Sequence, residues 1–204
     1  MRAAGQATRE RILAAAKDEF ARYGIAGARV DRIATAARAS KERLYAYFGS
    51  KEDLFAMVTQ RWITETTDET ALSAEDIPGY VGRLFDHYLR RPEDARLQTW
   101  AELEQVYSEP ADEAIRDMIA PKLVEIRRGQ RAEIIAPEWD PADLLVILTE
   151  IARSAALRAS YTRQAGGSDD VIGARRTAAV LAAHRLVVPG NGSHHPHARM
   201  SVIE

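Results

Sequence analysis

The chain has 204 residues, 46% of them hydrophobic and 28% charged, with a formal net charge of −2 and no cysteine. That length suits one or two domains with a sizeable core, and the missing thiols exclude a disulfide framework, a thiolate metal site and a cysteine nucleophile. No apolar run approaches the roughly 18 residues of a membrane span and the N-terminus lacks a signal-type apolar region, so the expected setting is cytoplasmic with no membrane partner.

Met1 to Ala7 reads as a frayed arm. Thr8 is placed to cap an amphipathic helix that Gly24 stops, with Ile12, Ala16 and Phe20 as its buried stripe beside Leu13. Val30 to Ala37 is a second, short helix, with Val30, Ile33, Ala34 and Ala37 at i, i+3, i+4 and i+7. Only Arg38 and Ala39 link it to a third, where the Ser40 hydroxyl can accept an orphan backbone N–H. Lys41, Glu42 and Arg43 occupy the first turn of that helix and point outward. Leu44 and Phe48, one turn apart, pin its other face to a core, and Gly49-Ser50 ends it. Two helices joined so tightly, the second presenting polar side chains at its N-terminus, form the helix-turn-helix pattern.

Residues 8–58 resemble the DNA-binding domain of the TetR/AcrR family of transcriptional regulators. The match rests on Ile12-Leu13, Ala15-Ala16, Phe20, Gly24, Val30, Ile33-Ala34, Ala37, Ser40, Leu44-Tyr45, Tyr47-Phe48, Ser50-Lys51 and Leu54. Two positions depart from the family pattern. Arg38 stands where the turn usually has Gly, a strain of roughly 1 kcal/mol if its backbone is left-handed. Ala28 and Arg29 stand where the second helix usually opens with Thr or Ser, which weakens the cap, offset in part by Asp31 in the first turn.

The resemblance implies an all-α fold: an N-terminal three-helix, homeodomain-like helix-turn-helix domain over residues 1–50, and a C-terminal helical ligand-binding and dimerisation domain over 51–188. Residues 189–204, rich in Gly, Pro and His, read as a disordered tail. Charge agrees with that division. Through Arg61 the chain holds 12 Lys and Arg against 7 Asp and Glu, a net of +5; the remainder holds 16 against 23, a net of −7. A basic head on an acidic body orients the molecule toward a polyanion.

The body reads as helices throughout. Lys51 to about Leu72 carries Leu54-Phe55, Val58 and Trp62 on one face, with Trp62 packing between head and body. Asp76-Ile-Pro78 opens the next helix, ending near Arg90; on it His87 lies one turn from Arg83 and Arg91 and is expected to face solvent. Pro92 and Pro110 start two more, and Pro121 should kink or split the latter near Ala120. Pro141 starts a long helix to about Tyr161, Gly166-Gly167-Ser168 breaks it, and Asp169 can cap a last helix ending near Val187.

Functional expectations follow. The resemblance implies a double-stranded DNA operator read by Arg29, Thr35, Arg38, Ser40, Lys41, Glu42, Arg43, Tyr45, Tyr47 and Lys51. Arg43 is suited to guanine, while Thr35, Tyr45, Tyr47 and Lys51 match positions that touch the sugar–phosphate backbone. It implies a homodimer through the last two helices, with Leu148, Ile151, Ala155, Ala159, Ala178 and Leu181 at the interface. It also implies a small-molecule effector held by Phe85, Tyr88, Trp100, Glu104, Tyr107 and Met118. Glu104 draws notice as a carboxylate interrupting an apolar stripe. The expected function is a ligand-responsive DNA-binding regulator, a repressor released by its effector; the alternative is a helical small-molecule-binding module without DNA-binding activity. No hydrolase, nucleotide-binding or zinc-protease motif occurs, so neither an enzyme nor a cofactor is expected. The His194-His195-x-His197 run is a weak metal chelator on a floppy tail.

Overall fold

The computed structural model describes residues 2–103 and 109–189. Among them no strand occurs, and the α-helices are α1 (Arg2–Gly27), α2 (Val30–Ala36), α3 (Lys41–Phe48), α4 (Lys51–Glu69), α5 (Ile77–Arg90), α6 (Pro92–Leu103), α7 (Glu109–Arg131), α8 (Pro141–Gln164) and α9 (Asp169–Val187). One turn of 3-10 helix, Ala74–Asp76, leads into α5. The tail from residue 190 onward lies outside the described residues.

Polar caps set several of these boundaries. Ser40 accepts from the Arg43 backbone N–H at the head of α3, Ser50 from Asp53 at α4, Asp76 from Gly79 at α5, and Asp140 from Ala142 and Asp143 at α8. The C-terminal ends of α2, α7 and α8 share one device. In each, a residue with positive φ turns the chain so that two successive N–H groups reach back to the last helical turn. Arg38 (φ 51) and Glu133 (φ 58) take this position in α2 and α7, and Gly166 (φ 77) in α8. At α2 the bonds are Ala39 N to Ala34 O, 3.0 Å, and Arg38 N to Thr35 O, 3.1 Å.

Two local expectations are corrected, the frayed arm and the Thr8 cap. Residues 2–7 are helical and continue into α1, so Thr8 is no cap; its hydroxyl donates to Ala4 O at 3.0 Å, inside the helix. The added turns are fastened by Tyr47, whose hydroxyl donates to Gly5 O at 3.1 Å. Gly24 stops the first run of α1 as expected, with φ 66 and ψ −179, and one further turn follows the kink to Gly27. Pro121 lies inside α7 without splitting it.

The core is continuous from α1 to α9. In the head, Ile12, Ala16 and Phe20 of α1 meet Ile33, Leu44, Phe48, Leu54 and Phe55, with the Phe20 and Phe55 rings edge to face at 5.0 Å. In the body α5 is the central helix, packed on α6, α8 and α9, and Tyr80, Val81, Leu84, Phe85 and Tyr88 are all buried. The long α1 lies against both α4 and α6, so the head rests directly on the body.

Candidate nucleic-acid interface and body cavity

The outer face of the α2–α3 unit is built by contrast of burial. Leu44 and Phe48 are inside, while Lys41, Glu42, Arg43 and Tyr45 on the same helix are exposed. Arg29, Thr35, Arg38 and Ser40 are exposed on the adjoining turns. The weak opening of α2 is repaired from a distance. No side chain of α2 caps it, but Glu19 of α1 accepts from the Arg29 backbone N–H at 2.8 Å and from Arg32 Nε at 2.8 Å. Asp31 pairs instead with Lys41, tying the start of α2 to the start of α3. The strained turn between them is held by Arg11, whose Nε donates to Ala37 O at 3.1 Å.

Of the ten predicted DNA-contact residues, eight lie exposed in this one region. Tyr47 and Lys51 are half-buried and tied to the head's own backbone, Tyr47 to Gly5 O and Lys51 Nζ to Ile25 O at 2.7 Å. The Glu42 carboxyl is held below the usual carboxylate range by its own backbone N–H and by Ser40. It therefore offers an acceptor among the cations of the first turn.

Where α1 meets the body, a polar cluster has its centre sealed from solvent. His87 of α5 is fully buried, against the sequence-based expectation that it faces solvent. Its Nδ1 is 2.8 Å from Glu69 Oε2 on α4, and its Nε2 is 3.0 Å from Asp94 Oδ2 on α6. The Thr66 hydroxyl is 3.2 Å from the same Nε2. Asp94, also fully buried, has Lys17 Nζ of α1 2.6 Å from its other oxygen, an ion contact between head and body. Glu69 continues the chain outward to Arg91 Nη1 at 2.6 Å. The His87 ring and the Arg91 guanidinium hold its carboxyl down to about 2.

The body contains a cavity of about 270 Å³ between α4, α5, α6, α7 and α8. Ile63, Leu84, Ile119, Leu145 and Val146 supply apolar wall; Thr66, Tyr80, Tyr88, Gln98 and Thr149 supply polar groups; Lys122, Glu102 and Glu150 supply charge. Trp62 is part of the wall as well as of the head–body contact. Burial pushes the Tyr80 phenol up to about 12 and the Tyr88 phenol higher still.

Of the predicted effector residues, Tyr88 lines this cavity. Phe85 and Trp100 do not. Tyr80, Leu84 and Tyr88 recur every four residues and form the row that faces the cavity, whereas Phe85 lies on a neighbouring row and is wholly in the core. Trp100 is half-buried outside the cavity wall. Glu104 and Tyr107 lie outside the described residues, as does the Met118 side chain. Sequence reading passed over Lys122, although it interrupts the inward row of half-buried Ile119 and buried Ile126 and Gly129 of α7, the same signal that drew notice to Glu104.

Along α8 and α9 the predicted interface residues divide. Leu148 and Ala159 are consumed by the protomer's own core, at 0% exposure. Ile151 and Ala155 are half-buried, and Ala178 and Leu181 are exposed. Tyr161 and Val171 also stand open on these two helices.

Sequence comparison places this geometry. The model of bacterial regulatory proteins of the tetR family matches residues 12–58, and that of the tetracyclin repressor-like C-terminal domain matches residues 76–185. The HTH-type transcriptional repressor SCO4008 of Streptomyces coelicolor is 38% identical over 184 residues, covering 89% of this chain and 96% of that one. The crystal structure of another transcriptional regulator of that organism, SCO4942, is 47% identical, with a TM-score of 0.74 over 88% of this chain and 98% of the other. A TetR family regulator of Marinobacter aquaeolei shares the fold at 21% identity, with a TM-score of 0.74 over 93% of this chain and 100% of the other. With the helix-turn-helix and the helical body both matched, the chain belongs to the tetR family of DNA-binding transcriptional regulators.

Proposed function

We propose that the protein is a dimeric repressor that reads a two-fold operator with α3 and is released from it by a small molecule bound in the body cavity. The observation that carries this reading is the one-sided burial of α3: its apolar pair is locked in the core while Lys41, Glu42, Arg43 and Tyr45 face outward on a basic head. A helix so mounted enters the major groove with its N-terminal residues at the base edges, Arg43 reading guanine. Arg29, Arg38 and Tyr45 flank it at phosphate level, where they fix register and supply salt-sensitive affinity. Repression is favoured by the relative SCO4008, itself a repressor.

Two protomers are needed because a single helix-turn-helix reads only half of a two-fold site. The surface available for pairing is the exposed strip of α8 and α9 that includes Ala178, Leu181, Tyr161 and Val171. Signal transfer has a structural carrier in α6. Gln98 and Glu102 of this helix line the cavity, and Asp94, one turn earlier, holds Lys17 of the head. A ligand that prefers a shifted α6 therefore prefers a shifted head, and operator occupancy falls by its differential affinity for the two arrangements.

The test is selection of bound fragments from the source genome, followed by footprinting. The expected result is a palindromic site with half-sites about one or two helical turns apart. Folded protein that retains no fragment even at low salt would leave the cavity-bearing body as a binding module without DNA affinity.

A further inference from the structure

The polar groups of the body cavity are out of balance, with donors left over. The two carboxylates already share one cation. Arg153 Nη2 lies 2.6 Å from Glu150 Oε2 and 2.9 Å from Glu102 Oε2, and Gln98 Nε2 donates to Glu102 Oε1 at 2.9 Å. The Gln98 oxygen in turn accepts from the Tyr88 hydroxyl at 2.7 Å. Two donors on the cavity wall have no acceptor among the described residues. One is the Trp62 indole N–H, which is buried and unpaired. The other is Lys122, at 9% exposure, whose ammonium makes no ion pair among the described residues and sits 5.1 Å from the centre of the Tyr80 ring.

An ammonium withdrawn from water without a counterion is destabilised unless something compensates. A cation–π contact supplies only part of that. Burial alone pushes the Lys122 ammonium down to about 8. The residue type is also singular: Lys122 is the only lysine after Lys51, every other permanent cation of the body being Arg.

We infer that the cavity takes an organic anion, a carboxylate carrying an aliphatic or aryl chain, with its oxygens on Lys122 and its chain along Ile63, Leu84, Ile119 and Leu145. The carboxylate supplies the acceptor that Lys122 lacks, and the chain meets a wall that is mostly apolar. A cationic ligand would meet the Lys122 ammonium as a like charge, and the two carboxylates that could offset it, Glu102 and Glu150, share Arg153 and stand 41% and 42% exposed to screening water. Only the regulatory meaning of this ligand rests on the proposed function; its chemical class can be measured without DNA.

The experiment is calorimetric titration of the full chain with octanoate, phenylbutyrate, octanol and octylammonium. The two carboxylates are expected to bind, octanol at least about tenfold more weakly, and octylammonium least of all. Lys122→Met should weaken carboxylate binding by at least about tenfold while unfolding at a urea concentration no lower than the wild type, and Lys122→Arg should restore part of the binding. Binding of octanol or octylammonium as tight as octanoate would overturn the inference. So would carboxylate binding that is absent, or unchanged in Lys122→Met. A Lys122→Met protein markedly less stable than the wild type would show the ammonium to be structural, and would overturn it equally. Carboxylate binding that leaves a selected DNA fragment bound would support the ligand class and defeat the effector-release reading alone.

Discussion

Two regions of this molecule are crowded with charge, and they treat it in opposite ways. On the outer face of α2 and α3 the Lys41–Asp31 ion pair joins side chains that are 51% and 67% exposed. At the junction of α1, α4, α5 and α6, Asp94 and His87 are both 0% exposed, and Asp94 is held from two sides. An exposed pair is worth about 0–1 kcal/mol and weakens with salt, so Lys41 can leave Asp31 for an acceptor on DNA. Removing one member of a buried pair costs about 3–5 kcal/mol, because the other is left charged and dry. Charge on the reading face is thus available to a partner, whereas charge at the junction belongs to the fold and moves only if α1 and α6 move together.

The sharpest way to break this comparison is Asp94→Ala. It strands the Lys17 ammonium and takes the carboxylate from His87 Nε2, and the unfolding free energy measured with urea is expected to fall by about 3–5 kcal/mol. Lys17→Met should fall by less, since Asp94 keeps its 3.0 Å contact with His87. A loss in Asp94→Ala below about 1 kcal/mol, the range of exposed pairs, would mean that water reaches the junction and that the two regions do not differ in kind.

Arg43→Ala probes the other side. Its side chain is exposed on the first turn of α3, so the urea midpoint should not change. Discrimination between the selected operator and a scrambled duplex, read by fluorescence anisotropy, is expected to drop by about 1–3 kcal/mol. An equal loss on both duplexes would assign Arg43 to phosphate and leave base reading to its neighbours.

How much of this was legible in the sequence depends on distance along the chain. Ser40, Leu44 and Phe48 declare α3 because capping and i, i+4 packing act within one turn, and the structure has all three in those roles. Glu19 as the cap of α2 was not legible, since it acts across ten residues and nothing in the run around Ala28 and Arg29 announces it. His87 was misplaced for the same reason. Spacing puts it beside Arg83 and Arg91, but its surroundings are set by α4 and α6, which no local pattern brings to it. Phe85 shows the limit of an apolar stripe: the stripe says which residues are buried and not which buried row faces an empty space. The cavity is a property of five helices at once, and Lys122 could be noticed only as a charge in the wrong place.

A smaller effect tests the strain on the reading face. Arg38 carries φ 51 at the end of α2, where glycine is free of the side-chain clash. Arg38→Gly should therefore raise stability by about 1 kcal/mol while lowering affinity on all duplexes alike, if its cation serves the backbone. A flatter salt dependence of binding is expected to accompany the loss. Unchanged affinity and salt slope would make Arg38 a turn residue only.

The smallest expected effect belongs to Glu69, the exposed end of the junction network, and it is visible mainly through pH. Its side chain is 36% exposed, and His87 and Arg91 hold its carboxyl down from 4.5 to about 2. In acid the unfolded chain therefore takes up this proton before the folded protein does, so the stabilisation is complete above the ordinary carboxylate range and fades as pH falls from there toward 2. Glu69→Gln removes the charge at every pH. The variant should be less stable than the wild type near neutrality, by less than Asp94→Ala because solvent screens the exposed carboxylate, and the gap should close in acid and shrink with added salt. A gap that persists unchanged into acid would mean that Glu69 acts through shape and hydrogen bonding, and that the passage from committed to available charge does not run through the junction itself.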